Sequence, residues 1–260
     1  MFLVIHKKEL IVYCLSLLLI AAGVCSGIGK VIPTSTKTRT LPIYSVERPD
    51  KKIALTFDVA WGDEDIDEVI KVLSEFNAKC TFFVVGEFVD KYPDAVRKLN
   101  SAGHEIANHS DTHPHASKLT PEKIEKEIIN CEEKISAITS SSAKIFRAPY
   151  GDYNDTVVKT ASKIGFYTIQ WDVDSLDWQD KTPEQMLSLI SKKIQSGSII
   201  LMHTGTKNTA AALPGILRFL NEQGYQPIIV SDLIYKENYS VNHAGRQIPQ
   251  PESAQQDSSR

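Results

Sequence analysis

His109 and His113, in the segment Asn108-His109-Ser110-Asp111-Thr112-His113, can grip one divalent cation if both imidazoles are neutral and converge. Their spacing serves that purpose on one helical turn or in a tight loop that folds back. Ser110, Asp111 and Thr112 between them can supply hydrogen bonds that fix the imidazole tautomers. A chain with seven histidines will show such a pair by chance, so the surrounding residues must carry the argument.

Other residues able to do chemistry recur at the ends of apolar runs. Ala54-Leu55-Thr56-Phe57 ends on Asp58, and His104 to Asn108 runs directly into His109. Ile145-Phe146 leads to Arg147 and the rigid turn Pro149-Tyr150-Gly151, and Ile199 to Met202 ends on His203. The segment from Gln170 to Trp178 carries Asp172, Asp174 and Asp177, of which Asp172 and Asp174 either support a site or face solvent. Asn108, Ser110 and His115 are read as supporting or structural residues.

The elements that must position these groups follow from periodicity. Strand-like runs fall at 52–59, 80–86, 104–108, 144–148, 166–172, 198–203 and 226–231, and amphipathic helical windows at 64–76, 87–101, 120–138, 154–164, 183–195 and 208–222. Thr120-Pro121 and Thr182-Pro183 are helix starts, and Gly103, Gly165, Gly197 and Gly224 are helix ends. Strict alternation of buried strands and helices is an α/β pattern with a parallel sheet. Seven units suggest a distorted (β/α)7 TIM-like barrel, with the site at the carboxyl ends of the strands.

Outside that region the composition changes. The run 10–28 holds no charged residue and approaches the span of a bilayer core, so residues 1–29 are read as a transmembrane helix and signal anchor. The small residues around Val24, Cys25 and Ser26 form a poor cleavage site, which favours an uncleaved anchor over a secreted product. Residues 30–49 are expected to be a linker, 50–236 the globular domain and 237–260 a disordered polar tail. Cys80 and Cys131 are expected to be unpaired thiols. A net charge of -3 and a pI near 6.2 exclude the basic field that nucleic acid demands.

In this order, Thr56-Phe57-Asp58, His109-Ser110-Asp111-Thr112-His113, Arg147-Ala148-Pro149-Tyr150-Gly151, Asp174-Ser175-Leu176-Asp177-Trp178 and Leu201-Met202-His203 resemble the five motifs of the polysaccharide deacetylases, the NodB-homology group of carbohydrate esterase family 4. The variant Phe57-Asp58-Val59-Ala60-Trp61-Gly62 resembles the sporulation-associated, PdaB-like branch. The resemblance implies the NodB fold and a hydrolase that removes N-acetyl groups from an amino-sugar polymer. By the same resemblance the polymer would be a peptidoglycan or a chitin-like glycan of the cell wall, and a monomer would act on it outside the cytoplasm. It implies a divalent metal on His109 and His113, Zn²⁺ first, with Co²⁺, Ni²⁺ or Mn²⁺ as alternatives. Asp58 would be the general base held ionised by Arg147, and the Tyr150 backbone N–H an oxyanion donor. His203 would be the general acid supported by Asp177, with Trp178 and Leu201 as walls for the acetyl methyl.

One position departs from the family. Val59 stands where most members carry a second Asp that completes the metal triad, so metal binding is expected to be weak or atypical. Asp63, Glu64 or Asp65 could reach back, water could fill the gap, or the site could hold no metal. The competing expectation is a glycan-binding or structural wall protein that lost its activity with that ligand.

Overall fold

Strand β2 (Lys52–Val59) shows how the sequence sets the architecture. Its residues alternate between two apolar layers, as a pleated strand buried on both faces must. Ile53, Leu55, Phe57 and Val59 pack with Ile66, Leu73, Phe82 and Leu213 in one cluster, whereas Ala54 packs with Phe83, Ala107 and Ile199 in another. The computed structural model describes residues 39–251. Parallel strands follow one another, through helical crossovers except between β6 and β7: β3 (Thr81–Val84), β4 (Glu105–Asn108), β5 (Ile145–Phe146), β6 (Tyr167–Thr168), β7 (Val173–Asp174) and β8 (Ile199–His203). With β1 (Ser45–Val46) and β2 preceding them, the main sheet has the order β6-β5-β4-β3-β2-β8-β7, and β9 (Gln226–Pro227) pairs the start of β2.

The helices are α1 (Ile66–Glu75), α2 (Gly86–Lys91), α3 (Pro93–Ser101), α4 (Pro121–Thr139), α5 (Asp155–Lys163), α6 (Pro183–Lys193), α7 (Thr209–Glu222) and α8 (Val230–Leu233). In α1 the buried residues Ile66, Val69, Val72 and Leu73 form the stripe that meets the sheet. A capping box starts α6, where Thr182 and Gln185 satisfy each other's backbone N–H groups. The window 87–101 is two helices, because Pro93 cannot continue the first and instead opens the second. Gly103 and Gly224 follow helices with φ of 80° and 73°.

Three sequence expectations need correction. The sheet is parallel and carries helices as expected, but β6 and β7 are not paired among the described residues, so the seven-strand path stays open. The linker expectation fails from residue 39 onward. Ile43 is buried and pairs with the β6 edge, where Ile43 N–H donates to Thr168 O at 2.9 Å and Gln170 N–H to Ile43 O at 2.7 Å; Val46 N–H donates to Gly197 O at 2.9 Å. The tail expectation fails for the described residues up to 251, since β10 (Tyr239–Val241) and β11 (Arg246–Pro249) form a three-stranded sheet with β1, and residues 252–260 lie outside those described. Gln247, fully buried, anchors it by exchanging side-chain hydrogen bonds with the Tyr235 backbone at 2.9 and 2.8 Å. The expected anchor at 1–29 lies outside the described residues. Among those described, no helix is long and apolar enough to cross a membrane. Cys80 and Cys131 are free and buried.

Candidate functional site

Asp58 leaves the carboxyl end of β2 on the face opposite Phe57 and Val59, and there it meets Arg147, which follows β5. Arg147 Nη1 donates to Asp58 Oδ1 at 2.7 Å and Nη2 to Gln170 O at 3.3 Å, while the guanidinium lies over the Phe83 ring at 4.0 Å. Arg147 is fully buried. Burial lowers its pKa, but a guanidinium stays charged, so it fixes a positive field against the carboxylate. For Asp58 burial pushes the pKa up, and its neighbours His109, Arg147 and His203, together with the Arg147 hydrogen bond, outweigh it; the carboxyl is held below the usual range.

His109 follows β4 and is likewise buried. Its Nδ1–H donates to Arg147 O at 2.8 Å, which sets the tautomer and leaves Nε2 as the free acceptor, 3.4 Å from Asp58 Oδ2. Residues 109–115 form a loop, which decides between the two geometries open to the pair. His113 has φ 57° and its N–H donates to Ser110 Oγ at 3.1 Å, so its ring turns back to stand 5.1 Å from that of His109. Burial, then the neighbouring His109, push the His113 pKa down to about 4. Both imidazoles are therefore neutral, as metal ligation requires.

Helix α4 holds this loop through residues that belong to none of the sequence motifs. The Glu127 carboxylate accepts Asp111 N–H at 3.0 Å, Thr112 N–H at 2.8 Å and Thr112 Oγ1–H at 2.8 Å, and Lys134 Nζ donates to Asp111 Oδ1 at 2.6 Å. Glu127→Ala removes three bonds that position both imidazoles. It is expected to weaken Zn²⁺ binding by about 10–100-fold in a competition titration, and unchanged affinity would show that the loop holds itself.

His203 ends β8 beside Asp58 and is supported by Asp177. Asp177 accepts His203 N–H at 2.6 Å, His203 Nδ1–H at 2.8 Å and Thr209 Oγ1–H at 2.7 Å. Burial lowers the His203 pKa, but the Asp177 hydrogen bond and the charges of Asp58, Asp177 and Asp174 prevail and raise it. An active form with Asp58 ionised and His203 protonated gives a bell-shaped kcat/KM profile whose basic limb lies above the ordinary imidazole value of about 6.5. Because the folded pKa is raised, the pair's contribution to stability is present at low pH and lost as pH rises through that value. In Asp177→Asn the basic limb is expected to move to lower pH while the acidic limb stays, and an unmoved basic limb would exclude His203 as the acid.

These groups open into a cleft of about 400 Å³ lined by Asp58, His109, His113, His203, Tyr150, Trp178 and Leu201. Every residue proposed from the motifs reaches it except Arg147 and Asp177, which stand behind Asp58 and His203. Tyr150 sits at φ 60° in the turn after Pro149, with its ring 4.6 Å from that of His113. Asp174, for which the sequence leaves support of a site and exposure to solvent both open, also lines the cleft, as does Trp61, to which no motif assigns a role. Asp172 belongs to the fold instead, accepting Ile199 N–H at 2.9 Å at the start of β8.

The donor set fits a divalent cation at two positions and not at a third. Val59 is fully buried in the apolar layer beneath the helices. Asp65 does not reach back, since both its oxygens accept Gly205 N–H, at 3.0 and 2.9 Å, and neither Asp63 nor Glu64 lines the cleft. Among the described residues no group of three His, Cys, Asp or Glu is placed to hold a metal. His109 and His113 would carry the whole protein hold on such an ion.

Comparison with known proteins matches residues 45–169 to the family described as polysaccharide deacetylase. A peptidoglycan-N-acetylglucosamine deacetylase of Bacillus cereus is 35% identical over 196 residues, covering 74% of this chain and 92% of the relative. The uncharacterized Bacillus subtilis protein YlxY is 34% identical over 194 residues, covering 74% of this chain, which spans only 60% of it. Among solved structures, Bacillus anthracis BA3943, described as a pseudoenzyme of carbohydrate esterase family 4, is 34% identical with a TM-score of 0.71, covering 74% of this chain and 68% of that one. A mutant of it is described as having restored enzymatic activity.

Proposed function

The chain belongs to the polysaccharide deacetylase family, and from that premise we propose that it hydrolyses N-acetyl groups on an amino-sugar polymer of the cell wall. The observation that carries this reading is the convergence, in one cleft, of an Asp58 carboxyl paired with Arg147, which holds its pKa down, and a His203 imidazole bonded to Asp177, which raises its pKa. A module that only binds glycan has no use for that opposed pair.

In the proposed reaction Asp58 takes a proton from water as the oxygen attacks the acetamide carbon. The Tyr150 backbone N–H faces the oxyanion, and Leu201 and Trp178 enclose the methyl. His203 then gives its proton to the departing amine, so the C–N bond breaks to acetate and a free amino sugar. A divalent cation held by His109 and His113 would polarise the carbonyl and acidify the water.

The Phe57-Asp58-Val59-Ala60-Trp61-Gly62 variant supports a sporulation role. The apolar run 10–28 supports anchorage with the domain outside the cytoplasm, testable by external protease on intact cells. A second reading, a glycan-binding protein without turnover, is favoured by Val59 and by the similarity to BA3943. Acetate release from peptidoglycan and N-acetylated chitooligosaccharides, measured beside glycan binding by the full chain, separates the two. Release supports the hydrolase, and tight binding without release supports the alternative.

A further inference from the structure

Among the described residues three large apolar side chains are exposed, Trp61 at 50%, Tyr150 at 63% and Trp178 at 53%, and all three line the cleft. Aromatic rings gathered in water at one place mark a surface that meets a ligand with apolar faces and polar edges. They stand on two sides of the site. Tyr150 follows β5 and stacks on His115 at 4.4 Å between ring centroids, whereas Trp61 follows β2 and lies over the His203 ring at 5.4 Å. Between β5 and β2 the sheet places β4 and β3, so a ligand touching both aromatics must cross the cleft.

Tyr150 and Trp178 belong to motifs that already assign them, and Trp61 does not. Its loop is fastened to the one that carries His203: Asp65 accepts Gly205 N–H, and Thr204 N–H donates to Asp58 O at 3.2 Å. The contact is close, since a Cβ on Gly205 would stand 3.3 Å from Trp61 Cβ. The indole is thus held before any ligand arrives, which lowers the ordering penalty of binding. The reacting acetamide must lie between Asp58 and His203. An indole already covering His203 presents its open surface to whatever extends past that imidazole.

We propose that Trp61 binds the sugar adjoining the one that loses its acetyl group, and that this indole supplies the contact a linked glycan gains over a single amino sugar. This rests on the glycan reading above and names the size of its ligand. The indole face meets the apolar C–H face of the neighbouring pyranose, while the ring hydroxyls remain in water.

The test is calorimetric titration of the full chain, of Trp61→Ala and of Trp61→Phe with N-acetylchitotetraose, peptidoglycan glycan strands and N-acetylglucosamine, with acetate release followed in parallel. Trp61→Ala is expected to weaken binding of the longer glycans by about tenfold or more, as loss of a central aromatic contact does. Trp61→Phe retains most of the affinity, and binding of the monosaccharide is the same in all three proteins. Equal losses for monosaccharide and polymer, unaltered polymer binding by Trp61→Ala, or no binding of either glycan by the wild-type chain would overturn the assignment. Polymer binding that depends on Trp61 without acetate release keeps the assignment and removes the hydrolase. Acetate release with binding independent of Trp61 does the reverse.

Discussion

Asp58→Asn is expected to lower acetate release by about a thousandfold, the scale of losing a positioned general base. An amide in that place keeps the shape of the carboxyl but cannot accept a proton from water. The variant also weakens a buried pair, because Asp58 neutralises an Arg147 that has no exposure at all. The asparagine oxygen can still accept from Nη1, so the destabilisation should fall short of the about 3–5 kcal/mol that a fully broken buried pair costs. Activity is therefore compared well below the melting temperature of the variant. Turnover close to wild type would remove Asp58 as the base.

Arg147→Met carries the second large effect, on stability more than on chemistry. It strips the Asp58 carboxylate of its partner and takes a guanidinium from its seat over Phe83 at 4.0 Å. The expected loss is about 3–5 kcal/mol, or on the order of 10 °C in melting temperature for a domain of this size. In the protein that remains folded, burial without Arg147 raises the Asp58 pKa. The acidic limb of the pH profile then moves upward, opposite to the movement of the basic limb in Asp177→Asn. If Arg147→Met melts like the wild type, the pair does not organise the strand ends in the way described.

The site was legible where an apolar run ends on a polar residue, because a parallel sheet delivers those ends to one face. Asp58, His109, Arg147 and His203 were found in that way. Short elements gave no such signal. Strand β7 has two residues, and the hairpin of β10 and β11 reads as a polar tail because its order comes from Gln247 bonding to the Tyr235 backbone. The N-terminal segment gives no periodic signal either, since Leu41, Ile43 and Val46 fall in a short stretch broken by Pro42 and Ser45, and only the sheet edge gives Ile43 and Val46 partners. Glu127 and Lys134 belong to no motif, and what they do shows only once the histidine loop folds onto them. The orientation of Val59 follows from strand pleat alone, yet its consequence appears only once Asp65 is found bonded to Gly205.

Acetate release from purified peptidoglycan by the full chain, stripped with chelator and resupplied with Zn²⁺ or Co²⁺, tests the central claim most directly. The expected result is release with metal, little without it, and a loss in Asp58→Asn that metal does not reverse. Absence of release under every metal condition, from a folded chain that binds the same glycan, would contradict it.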